Sequence, residues 1–234
     1  MVITISHLTR MRPPYICAAG LYDKYAVRAV TAGQLHKRLL RSNGGPFAIG
    51  AVVDLGVVKD VGSPPELEDC SFNPASAKYV AMEDGRTFWK RLEQVAQPIL
   101  DSIFGDDLVK RGRWSCAVNP GCGAASLGCL KVFGTPQISI RGLDSHVMRS
   151  GLRLAITDPF FGKLDLVITD VRFFEEDFIT VNETVVESAQ TRIDSGVRLL
   201  LSVGLTRATV PPDNPVHWLQ VNNVHLEDDP TWNL

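Results

Sequence analysis

Residues 1–30 read MVITISHLTRMRPPYICAAGLYDKYAVRAV. VITISHL (2–8) alternates apolar and polar positions and is rich in β-branched residues, the pattern of a strand with two unlike faces. YICAAGL (15–21) and YAVRAV (25–30) are two further short apolar runs. Three strands in quick succession predict the start of a small β-barrel. Among them stand Arg10, Arg12, Lys24 and Arg28, and acids are almost absent. Residues 1–48 hold seven Lys/Arg against one Asp, a local charge of +6. The whole chain carries −2, so the remainder carries −8, with acidic knots at FFEED (173–177) and HLEDD (225–229).

The chain is long enough for one large domain or two small ones, each with its own core. An apolar fraction of 45% and a charged fraction of 21% place it among globular proteins. The small net charge gives no global attraction to nucleic acid or anionic lipid, so any such attraction must be local. Five cysteines, an odd number, follow no disulfide framework. No stretch approaches the roughly 20 apolar residues of a membrane helix, and a strand-like run begins at residue 2 where a leader would lie. The expectation is a cytoplasmic protein with reduced thiols and no membrane partner.

Working outward, TAGQLHKRLLRSNGG (31–45) predicts a short helix capped by Thr31, with Leu35, Leu39 and Leu40 on one face and Gly44–Gly45 as its stop. FAIGAVVDLGVV (47–58) is strand-like, its glycines marking bends or bulges. GSPPELEDCSFNP (62–74) is a turn-rich break. In residues 85–105 Phe88, Leu92, Val95, Ile99 and Ile103 recur at helical spacing; Pro98 should kink or divide that helix, and Gly105 should end it. From Val109 the β signal returns. Strands are expected in 127–134, 136–142, 152–158, 163–174, 198–207 and 217–226, with TDPFFGKLD (157–165) as a hairpin connection and SAQTRIDSG (188–196) as a short helix.

Nothing in the sequence argues for catalysis. Cys116, Cys122 and Cys129 cluster, and His146 could complete a tetrad, but zinc sites use tighter pairs, usually twice over. Cys17 would need a base such as His7 or His36; flanked by Ile16 and Ala18 it reads more readily as a small core residue. The adjacent carboxylates Glu175–Glu176, Asp106–Asp107 and Asp228–Asp229 read as solvated. No phosphate-cradling or nucleophile-elbow motif is present. No catalytic residue, metal or cofactor is expected.

The basic opening is the stronger signal. Arg10, Arg12, Arg28, Lys37 and Arg38, with Tyr15, Tyr22 and Tyr25 among them, fit a single-strand-binding barrel, where cations follow phosphates and rings stack on bases. Arg207, Trp218 and Gln220, with Asn222 and Asn223, add a stacking ring and amides of the kind that read base edges. The alternatives are an ordinary solvated face, an acidic protein surface as partner, and a Trp218 that belongs to the core.

Several short elements carry a resemblance. Cys17-Ala18-Ala19-Gly20 after the first basic strand, Arg28-Ala29-Val30, the break GSPPELED (62–69), LSVGLTR (201–207) and the strand at 217–226 together resemble the prokaryotic dual OB-containing domain family, with Ala29 where that pattern has proline. The resemblance implies a mainly β chain with helical insertions: two OB-like β-barrels, residues 1–62 and 109–234, joined by a helical connector at 63–108. It further implies a non-catalytic accessory module of a prokaryotic defence or conflict system that binds nucleic acid, single-stranded or guide-like. A protein–protein adaptor that docks an effector is the alternative.

Overall fold

The alternating opening segment becomes the centre of a sheet. In the computed structural model, described over residues 1–141, 151–208 and 215–232, the chain is mainly β. The first sheet is built from β1 (Val2–Arg10), β2 (Tyr15–Tyr22), β3 (Tyr25–Val30), β4 (Leu35–His36), β5 (Ala51–Asp54), β6 (Val58–Asp60), β7 (Asp69–Phe72) and β8 (Lys78–Met82). Its order is β6-β7-β3-β2-β1-β5-β8, with β4 beside β2. Every pairing is antiparallel except β3 with β7, where Arg28 stands opposite Asp69. β5 and β6 are neighbours in sequence but lie far apart in this order, joined only through Leu55, Gly56 and Val57. That short link, with Gly56 at φ +74°, curls the sheet into a half-barrel. Ile3, Ile5, Ile16, Val27, Phe47, Val53 and Phe72 fill its core.

Two local expectations are corrected. Residues 31–45 form no α-helix: Leu35–His36 pair with Tyr15–Ile16, and two 3-10 turns follow, Lys37–Leu39 and Arg41–Asn43. The strand pairing satisfies the backbone groups that a helix would have used. Thr31 bonds the Gly33 carbonyl instead of capping, although Gly44 does end the second turn. The turn-rich break also yields a strand, β7, so the first sheet draws β7 and β8 from beyond residue 62. DCSF is too short to read as a strand alone; it forms by lying parallel to β3.

The helical period at 85–105 gives α1 (Gly85–Val95), capped by Asp84 accepting from the Thr87 N–H at 3.0 Å, with Phe88, Trp89 and Leu92 buried. Pro98 divides the segment, α2 (Asp101–Phe104) follows, and Gly105 ends it. The second half contains β9 (Val109–Arg111), β10 (Ser115–Val118), β11 (Leu127–Lys131), β12 (Gln137–Arg141), β13 (Gly151–Asp158), β14 (Gly162–Val167), α3 (Glu183–Asp194), β15 (Leu199–Leu205) and β16 (His217–Leu226). These form two antiparallel sheets, β11-β15-β16-β10-β9 and β12-β13-β14. The expected hairpin at 157–165 is the β13–β14 turn. The expected short helix is α3, longer than read and capped by Asn182. Leu154, Ile168, Phe173, Leu201, Val203 and Val221 anchor the second core. β1 is buried on both faces, because its polar face is covered by the second half.

Candidate nucleic-acid interface

Most of the cations that the sequence offers to phosphates are engaged within the protein. Arg28 is 4% exposed. Its Nε donates to Asp69 at 2.6 Å and a terminal nitrogen donates to Ser126 Oγ at 2.8 Å. From that position it does not present its guanidinium to a solvent phosphate. Asp69 also accepts from Arg207, which bridges to Glu66 at 3.2 Å. Glu68 accepts from the Ser126 and Leu127 N–H groups at 2.8 and 3.1 Å and from Ser126 Oγ at 2.7 Å. The acidic break after the first strands is therefore a strap that receives the start of β11.

A second set of polar contacts runs along β1. Asn223 accepts from the Leu8 N–H at 2.7 Å and donates to the Leu8 carbonyl at 3.2 Å. Ser202 Oγ lies 2.8 Å from the Ser6 carbonyl and 2.9 Å from His225 Nε2. Burial, then the nearby Arg172 charge, holds His225 well below its ordinary pKa, so its ring is neutral. Arg10 donates to the Phe178 carbonyl at 2.7 Å and stacks 3.8 Å from the Phe174 ring centroid. Lys37 Nζ donates to the Glu176 carbonyl at 2.9 Å, so Lys37 is not the free cation expected of a solvent-facing helix. The segment 173–178 thus lies against the basic opening through main-chain carbonyls and rings, while Arg28 meets a carboxylate at Asp69.

Of the cations in the basic opening, Lys24 stays exposed on the β2–β3 turn between Tyr22 and Tyr25, and two others share an edge. Arg12 and Arg38 are exposed. The β2–β4 pairing sets Tyr15 opposite His36, their rings edge-to-face at 6.2 Å, and Lys37 N–H donates to the Pro14 carbonyl at 2.8 Å. This places the Arg12 turn beside the Arg38 turn, with two rings between them. Arg41, on the next 3-10 turn, lies 4.0 Å over the Tyr79 ring. Trp218 is 37% exposed on β16, and Gln220 donates to Asn222 Oδ1 at 2.8 Å. No hydrogen bond joins Trp218 or Gln220 to the Arg12–Arg38 edge among the described residues. Sequence reasoning passed over His36 as a member of this edge; the run at 36–38 was the available signal, and only the β2–β4 pairing turns it toward Tyr15.

Burial favours the protonated thiol at Cys17, Cys70, Cys116 and Cys129. Burial pushes Cys116 and Cys129 up to about 12. It raises Cys17 too, against the opposing charges of Arg28 and Arg207. Cys17 is therefore held as a thiol, the wrong state for a nucleophile. Among the described residues no group of three His, Cys, Asp or Glu could hold a metal; His146 lies outside the described residues. No helix among them is long and apolar enough to cross a membrane. No family model matches the chain, and searches of curated proteins and of solved structures return no match either.

Proposed function

We propose that the protein is a non-catalytic module that binds single-stranded nucleic acid along the Arg12–Tyr15–His36–Arg38 edge, within an OB-like first barrel. The observation that carries this reading is the pairing of two exposed guanidiniums with two rings on one rim, the combination that takes phosphates and bases together. Three features support the barrel reading: an opening run of three antiparallel strands, a parallel β3–β7 pair, and 3-10 turns between β3 and β5. A second OB-like barrel in residues 109–234, a place in a prokaryotic defence system and a guide-like ligand remain parts of the same proposal, supported by the resemblance described above. The adaptor reading keeps one observation of its own. Exposed Glu175, Glu176 and Asp177 border the edge beside Lys37, giving it mixed charge.

The test is binding of labelled single-stranded oligonucleotides at several salt concentrations, comparing the parent with Arg12→Gln/Arg38→Gln. Loss of two phosphate contacts should weaken binding for every sequence and lower the salt slope by about 1.4, at about 0.7 per contact. Equal affinity and slope in the variant would remove this edge from the interface. A parent with no salt-sensitive binding would hand the edge to the adaptor reading.

A further inference from the structure

Two short turns of the second half lie side by side. Gly112-Arg113-Trp114 joins β9 to β10, and Pro159-Phe160-Phe161 joins β13 to β14. Lys110 Nζ donates to the Phe161 carbonyl at 2.7 Å, and the Asp165 N–H on β14 donates to the Trp114 carbonyl at 2.9 Å. Each tip presents a ring to water: Phe160 is 66% exposed and Trp114 39%. The Phe160 turn is fixed from beneath. Buried Asp158 accepts from the Phe160 and Phe161 N–H groups at 2.9 and 2.8 Å, and the Phe161 ring meets Phe160 edge-to-face at 4.9 Å. Exposed apolar residues scattered singly need no explanation, but rings on two adjoining turns among cations do.

The charge around the rings is positive. Lys110, Arg113 and Lys163 are exposed, and Arg111 is half-buried beside them. Arg113 lies 4.6 Å over the Trp114 ring centroid. Lys110 and Arg111 bond neutral oxygens, the Phe161 carbonyl and Asn119 Oδ1. Among the described residues none of these four cations makes an ion pair. Asp165, which shares a strand face with Lys163, is already met by Arg141 and Arg153. Uncompensated cations beside exposed rings fit a ligand that is both anionic and rich in flat apolar faces.

A single-stranded nucleic acid offers phosphates to the cations and unstacked bases to the rings, whereas a duplex keeps its bases stacked. An anionic bilayer would meet a whole face of the protein, including exposed Asp106 and Asp107 just before β9, in a chain that is acidic beyond residue 48. A strand meets only the groups along its path.

We propose that these two turns form a second single-strand contact surface, with Arg113 and Lys163 on phosphates and Trp114 and Phe160 against bases. It uses none of the residues of the Arg12–Arg38 edge, and it stands or falls independently of that edge.

The experiment titrates labelled oligo(dT) and oligo(U) at several salt concentrations. Arg113→Gln/Lys163→Gln should lower the salt slope by about 1.4, at about 0.7 per contact. Phe160→Ala, at an exposed position, should weaken binding about tenfold with the slope unchanged, because it removes a stacking ring and no charge. The same losses should appear when these substitutions are made in Arg12→Gln/Arg38→Gln protein. A bromouracil-substituted strand should photocrosslink to the Trp114 or Phe160 peptide. An unchanged slope in Arg113→Gln/Lys163→Gln, or an unchanged affinity in Phe160→Ala, would each overturn the proposal. So would a parent that binds phosphatidylserine vesicles and neither oligonucleotide, which would make the turns a lipid contact. Losses confined to Arg12→Gln/Arg38→Gln would keep the edge and remove this surface; losses confined to Arg113→Gln/Lys163→Gln would keep this surface and remove the edge.

Discussion

Each half of this chain is filled with hydrocarbon, and the layer where the halves meet is lined with hydrogen-bonding groups. Phe47, Ile5 and Val53 on one side, and Phe173, Leu201 and Val221 on the other, sit in cores that could be repacked by residues of similar volume. Between them stand Ser6, His7, Arg28, Asp69, Asn223 and His225, all nearly or wholly buried. Hydrocarbon burial is non-directional, whereas a buried hydrogen bond has a partner, a distance and an angle. The first core also takes in Cys129, Val171, Phe178 and Leu200 from the second half, so hydrocarbon helps hold the halves together, and the polar layer sets how one half sits on the other.

The largest break in that comparison should come at Asp69. Asp69→Ala leaves Arg28 buried without its counter-ion and should cost about 3–5 kcal/mol, read from urea unfolding. Arg28→Met/Asp69→Leu removes both charges and should recover most of the loss, as hydrocarbon replaces a matched pair. A double variant as unstable as the single one would show that the layer depends on the charges themselves.

Acid should weaken the layer next. His7 falls from 6.5 to about 4 on folding, mainly through burial, and His225 is lowered well below 6.5 for the same first reason. Unfolded, both rings take up protons below about pH 6.5; folded, they resist them. Their contribution is complete above that pH and is lost as pH falls toward the folded values, at about 1.4 kcal/mol per pH unit for each ring. His7→Gln should flatten the fall between pH 6.5 and 4.5, and a parent-like slope in that variant would count against the assignment.

Asn223→Ala removes both bonds to the Leu8 backbone and strands a buried N–H and carbonyl, at a cost of about 1–3 kcal/mol. Hydrogen exchange should quicken at Leu8 before it does in the two cores; protection at Leu8 unchanged from the parent would mean that other groups hold β1 in place. The smallest effect sharpens the contrast from outside. Arg12→Gln/Arg38→Gln touches only exposed side chains and should move stability by less than about 0.5 kcal/mol. A larger loss would show that the edge is structural.

Much of the fold was legible. The strand expected at 217–226 is β16 residue for residue, and the apolar period of 85–105 with Pro98 inside it gives α1, a break and α2. These signals are local: a repeat of two or of 3.6 residues reports its own segment. β7 was illegible because four residues beside a proline-rich, acidic run have no period to show, and parallel pairing with β3 creates the strand. The candidate site was legible as a basic, aromatic segment, but not in its membership. Arg10, Arg28, Arg12 and Arg38 carry the same charge within thirty residues of sequence, and no local pattern separates those that turn inward from those left in water.

By itself the sequence determined where the hydrocarbon lies, which segments alternate, and that charge is divided unequally along the chain. Those properties belong to residues and near neighbours. Only the tertiary structure decided what the charge does. A guanidinium commits when a carboxylate or carbonyl from a distant segment reaches it, as Asp69 reaches Arg28 and the Phe178 carbonyl reaches Arg10. His7 shows the same division in one residue. The sequence makes it a histidine in a strand, and the packing of Gly128 on β11 and Val203 on β15 beside that strand buries the ring and holds it neutral.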